Sequence, residues 1–133
     1  MPKIEKLHTA SFIFYPDDRG FYYMKLKEGE QVSIEDITQI LRFIKDKNQG
    51  ERRPVLIELG YGSSIVEGVY EFMAHNENRF STADAILIST FAHKISTTFY
   101  LRHFKPQRAT KVFNDVFDAL DWMEKQNSRY LAS

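Results

Sequence analysis

Two apolar runs, Val55-Leu56-Ile57 and Ala85-Ile86-Leu87-Ile88, constrain this chain more than any other feature. A strand with one face in water alternates apolar and polar residues, whereas a strand apolar at every position is covered on both sides. Strands of that kind pair in parallel and are joined by crossover helices. The runs therefore predict an α/β protein with strands over Pro54–Leu59 and Ala83–Ile88 at its centre.

The rest of the chain supplies the other elements. Ser11–Tyr15 and Phe21–Leu26 read as strands around Pro16-Asp17-Asp18-Arg19-Gly20, a turn composition, and together they predict a hairpin. Ser33 followed by Asp36 is an acidic capping box. Ile37, Ile40, Leu41 and Ile44 then recur at helical spacing, up to a stop near Gly50. A second helix is expected from Ser64 to His75, bearing Ile65, Val66, Val69, Phe72 and Met73, with Gly68 marking a close backbone approach. A third, capped by Ser89 or Thr90, carries Phe91, Ala92, Ile95, Phe99 and Leu101 up to Pro106. Lys111-Val112-Phe113 is a short last strand. Asn114 or Asp115 caps a fourth helix with Val116, Phe117, Leu120 and Met123 on one face, fraying from Gln126. The order is β-β-α-β-α-β-α-β-α, a mixed five-stranded sheet with four helices, expected as one domain over residues 1–133.

Composition excludes several classes. The chain has no cysteine, so disulfides, thiolate metal sites and a cysteine nucleophile are ruled out. His8, His75, His93 and His103 show no metal-ligand spacing, so neither a metal nor another cofactor is expected. Eighteen basic and eighteen acidic residues cancel, which argues against a general nucleic-acid binder. No run approaches the roughly 20 apolar residues of a membrane span, and no leader pattern is visible, so a cytoplasmic protein is expected. Charge is nonetheless segregated. From Ala85 to Asn114 there is no acid but Lys94, Arg102, Lys105, Arg108 and Lys111, after which Asp115, Asp118, Asp121 and Glu124 follow.

The candidate site is the end of the central strand, Gly60-Tyr61-Gly62-Ser63-Ser64. The third glycine of a dinucleotide loop is replaced by Ile65, and the Gly-Lys-Ser/Thr of a P-loop is absent. The plain expectation is a glycine turn with Ser63 or Ser64 capping the next helix. Ser89, Thr90, His93 and Lys94 come to the same end of the sheet and would suit an anion or a partner, although exposed polar residues at a helix start are the plainer reading. No base is placed beside a nucleophile, and Glu58 is the one acid in the central strand, so an enzyme is not expected.

The element order, together with Ala83-Asp84-Ala85-Ile86-Leu87-Ile88-Ser89-Thr90, Lys105-Pro106, Thr110-Lys111-Val112-Phe113-Asn114 and Ala119-Leu120-Asp121-Trp122-Met123, resembles the SpoIIAA-like fold. That fold is shared by the STAS domains of anti-sigma-factor antagonists and by small stand-alone bacterial proteins of unassigned function. The resemblance implies a non-enzymatic regulatory or protein-interaction module, with a regulatory kinase or anti-sigma-like protein as partner. In STAS antagonists a serine at this helix start is phosphorylated. Here the Asp-Ser-Ser-Gly pattern stands as Gly62-Ser63-Ser64-Ile65, keeping the serine pair and changing both flanks. Two further expectations accompany it. One is homodimerisation through an exposed edge of the hairpin bearing Phe12, Phe14, Tyr22 and Tyr23. The other, as an alternative function, is binding of a lipid or small apolar ligand among the Phe and Tyr residues of helices two and three.

Overall fold

The structure, a computed structural model, describes residues 5–65, 67–75, 79–104 and 108–132. Val66, Lys105 and Pro106, used above, lie outside them. The order is β1 (Leu7–His8), β2 (Phe12–Pro16), β3 (Tyr22–Leu26), β4 (Gln31–Val32), α1 (Ile34–Asn48), β5 (Arg53–Glu58), β6 (Ser64–Ile65), α2 (Glu67–Ala74), β7 (Ser81–Leu87), α3 (Phe91–Phe104), β8 (Ala109–Phe113) and α4 (Val116–Ala132). The main sheet runs β1-β2-β3-β5-β7-β8, and β4 with β6 forms a small second sheet. The four helices are those expected. The sheet has six strands rather than five, because β1 pairs antiparallel with the outside of β2.

The hairpin forms because Asp17 organises its turn. One carboxylate oxygen accepts from the backbone N–H of Arg19 and of Phe21, and Gly20 takes the left-handed φ of 86° that closes it. From β3 onward every pairing is parallel: β3 with β5, β5 with β7, β7 with β8. Pro54 is tolerated in a central strand because the β5–β7 register shifts there, between Arg53 and Val55.

Successive crossovers that step the same way along a sheet place their helices on the same face. Alternation in the strands shows this directly. Met24, Val55, Ile57 and Ile86 pack with Ile37, Ile40 and Ile44 of α1, Val69 of α2 and Tyr100 of α3. Leu56 and Ala85 point the other way, onto Ala119 and Met123 of α4. Three helices thus cover one face and α4 alone covers the other. Phe12, Phe14 and Tyr22 belong to the larger core, with Phe14 edge-on to Phe43 and Phe80. This corrects the expectation for three of the four hairpin aromatics: Phe12, Phe14 and Tyr22 are buried, Tyr23 is half-buried, and β1 pairs with Ile13 and Phe14 of the outer edge.

The local start signals hold. Ser33 and Asp36 form the reciprocal capping box of α1, which ends at Gln49 in the left-handed region. Thr90 Oγ1 accepts from the His93 N–H at 3.1 Å to cap α3, and Asp115 accepts from Phe117 and Asp118 to cap α4. Two other expectations fail. Gly68 marks no close approach, since a Cβ there would meet only Ile34 Cδ1 at 3.8 Å. Helix α4 continues to Ala132 without ending at Gln126.

Candidate functional site

The turn after β5 is held from both sides. Gly60 lies so close to β3 that a Cβ would stand 2.5 Å from the Leu26 carbonyl oxygen, and the Gly29 N–H donates to the Tyr61 carbonyl. Gly62 has φ of 71°, as the turn requires. Ser63 is 5% exposed, and its hydroxyl donates back to the Gly60 carbonyl at 2.7 Å. Ser64 is exposed and belongs to β6, opposite Gln31 of β4. Helix α2 starts only at Glu67, so neither serine caps it. The pairing of β6 with β4 takes up the residues that sequence reading assigned to the helix start.

Ser89, Thr90 and Lys94 come together at an open hollow of about 350 Å³, completed by Ile88, Phe91 and Asn114. Ser63, Ser64 and His93 are not among its lining residues. His93 sits within the fold, 4% exposed, and neither ring nitrogen has a hydrogen-bond partner among the described residues.

The position of His93 follows from how α3 is set. Its buried arc is His93, Thr97 and Tyr100; its outer arc carries Phe91, Ile95 and Phe99, exposed by 75%, 58% and 57%. Sequence reading named those three among the apolar residues of the helix, and such a stripe ordinarily faces the core. The inversion has a visible cause under the helix. Asp84 of β7 pairs with Arg108, Nε to Oδ2 at 2.6 Å, and both side chains are almost fully buried. Ser81 donates to the other Asp84 oxygen, and the Tyr100 hydroxyl bonds Arg108. Burial opposes the guanidinium charge, but Asp84 and Tyr100 outweigh it and hold its pKa above the usual value. A buried ion pair needs its remaining groups satisfied, so Tyr100 must face inward, and Thr97 and His93, one and two turns earlier, go with it. Tyr70 of α2 stacks on Tyr100 with centroids 4.0 Å apart, and its own pKa is pushed up to about 12 by burial and by Tyr100. Sequence reading missed this cluster. The signal was an aspartate in an otherwise apolar strand with a basic residue shortly before the next one.

Beside the cluster lies a cavity of about 30 Å³ lined by Met24, Val69, Met73, Phe80 and Tyr100. Ligand sites are about ten times larger, so this cavity is too small for a lipid chain.

Outside, apolar surface gathers at the carboxyl ends of three adjacent parallel strands. Tyr61 follows β5, Phe91 follows β7, and Phe117, in the first turn of α4, follows β8; Tyr61 and Phe117 are 73% and 78% exposed. Of Val116, Phe117, Leu120 and Met123, placed on one face of α4 by the sequence, Met123 is buried with Leu120 packed beside it, while Val116 and Phe117 are exposed.

Fold and surface together define a SpoIIAA-like α/β domain. In a search of solved structures the chain is similar to an uncharacterised protein from the DUF3478 family with a SpoIIAA-like fold, from Shewanella loihica PV-4. The TM-score is 0.52 at 18% identity, over 91% of this chain and 92% of that one. Residues 16–127 match the model of a domain of unknown function, DUF7793, and the chain belongs to that family. No curated protein matches.

Proposed function

We propose that the domain is a non-enzymatic regulatory module that works by docking a protein partner on the outer face of α3 and the adjoining ends of β5, β7 and β8. The observation that carries this reading is the inversion of α3. A helix that turns Phe91, Ile95 and Phe99 to solvent while burying His93 and Thr97 bears a hydration cost that a partner would relieve. The most extensively bonded polar groups, Ser81, Asp84, Tyr100 and Arg108, are committed to one another within the core, which favours a structural use over a catalytic one. A phosphoswitch of the STAS kind would act on Ser64, which is exposed, since the Ser63 hydroxyl is buried and engaged.

The test is cross-linking and mass spectrometry in native cells, comparing the wild type with Phe91→Ser/Phe99→Ser. Wild type is expected to capture a defined protein that the double variant loses while keeping the same circular dichroism. An unchanged set of captured proteins would count against the surface. The same samples report phosphate at Ser64; its absence would remove the switch and leave the docking reading.

A further inference from the structure

Resting on that docking reading, we infer that the element docked on α3 is an acidic amphipathic helix of another protein.

The outer arc of α3 carries charge of one sign. Phe91, Ile95 and Phe99 form an exposed stripe about 12 Å long. Lys94 and Arg102 are exposed on the same helix, also about 12 Å apart along its axis, and neither has an ion-pair partner among the described residues. There is no acid on this helix. The nearest acids in the sequence are both committed elsewhere. Asp84, before it, is paired with Arg108 in the core, and Asp115, after it, caps α4. An apolar stripe accompanied only by unpaired cations is complemented by a surface that is apolar along its middle and acidic at its edges.

The outer face also selects the form of the partner. An extended peptide binds chiefly by main-chain hydrogen bonds to a sheet edge, and the backbone of α3 is already bonded within its own helix. A second helix needs only side chains, and its ridge packs along the stripe. Carboxylates about two turns apart on such a helix reach Lys94 and Arg102 together.

Other occupants fit less well. Lipid surfaces are drawn by clusters of about four to eight Lys and Arg, whereas α3 exposes Lys94 and Arg102 alone of these, in a chain of zero formal net charge. Nor does a second copy offer an acid-edged apolar surface in its groove between α4 and β8. That groove is built on Phe113 and half-buried Trp122, and Asp118 and Asp121 are balanced there by Lys111 and Lys125, with Asp121 and Lys125 paired at 3.1 Å.

The experiment places a photo-cross-linking benzoylphenylalanine at position 95 of the full chain in native cells, and the captured peptide is sequenced by mass spectrometry. A synthetic copy of that peptide is then titrated against wild type, Lys94→Glu/Arg102→Glu and the milder Lys94→Gln/Arg102→Gln, each first shown to be folded by circular dichroism. The peptide is expected to come from another protein and to have apolar residues at helical spacing flanked by Asp or Glu. Its affinity should fall about tenfold or more on charge reversal, less on neutralisation, and again as salt is raised. A captured peptide without acids, or an affinity that charge reversal leaves unchanged, overturns the inference and leaves the docking reading standing. Capture of no protein overturns the docking reading and the inference with it. Capture of this chain's own peptide, or co-sedimentation of wild type with phosphatidylcholine–phosphatidylglycerol vesicles that the Lys94/Arg102 variants lose, overturns the inference in favour of a second copy or a lipid surface.

Discussion

At the scale of single residues, two positions show how little freedom the turn and the core leave. Gly60 is required by space rather than by dihedral angle, because its neighbour is the backbone carbonyl of Leu26, which no rotamer change can move. Gly60→Ala is expected to destabilise by about 1–3 kcal/mol, as overpacking does, and a urea melt checks it. His93 presents the reverse case. Both ring nitrogens are buried without partners among the described residues, a desolvation cost that an apolar side chain of similar size avoids. His93→Leu is therefore expected to raise stability by roughly 1 kcal/mol. A lower melting temperature would mean that the imidazole has a partner the structure does not show. Neither position could be ranked from sequence, since glycine in a turn and a lone histidine in a helix each fit many environments.

At the scale of elements, legibility divides by range. The hairpin, the Ser33–Asp36 box and the Thr90 and Asp115 caps were readable because each is encoded within a few residues. The two-residue strands β1, β4 and β6 were not, because their pairing partners lie elsewhere in the chain and two residues carry no periodicity. Helix α3 is the instructive failure. Its sequence shows an apolar stripe, and such a stripe ordinarily faces the core. What turns it outward is the pull of the Asp84–Arg108 pair on Tyr100, an interaction spanning 24 residues that no local pattern reveals. That pair yields a prediction for the element it anchors. Asp84→Ala leaves a buried guanidinium uncompensated and is expected to cost about 3–5 kcal/mol, whereas Asp84→Leu/Arg108→Met together should recover much of the loss. If the double variant is as unstable as the single one, the pair contributes more than its own compensation.

For the whole molecule, the buried tyrosines govern behaviour in alkali. Tyr22, Tyr23, Tyr70 and Tyr100 all have raised pKa values, in each case chiefly because burial penalises the phenolate. Their folded values stand above the unfolded value of about 10, so the folded state keeps its protons longer. The stability this brings is complete below pH 10 and is lost as pH rises through the folded values, for Tyr70 between 10 and about 12. Denaturant midpoints should fall across that interval, with tyrosinate absorbance appearing together with unfolding; a flat midpoint would show that the rings ionise without opening the core. The fold class was legible from two strands and the order of elements. The exposed aromatic surface was not, because it depends on how α3 is turned about its axis and on where Phe117 projects. One last consequence comes from Trp122, the only tryptophan of the chain. It sits half-buried in the groove between α4 and β8, stacked obliquely on Phe113. The molecule therefore carries its own optical label on that face: anything that settles there will change the indole emission, with no dye attached.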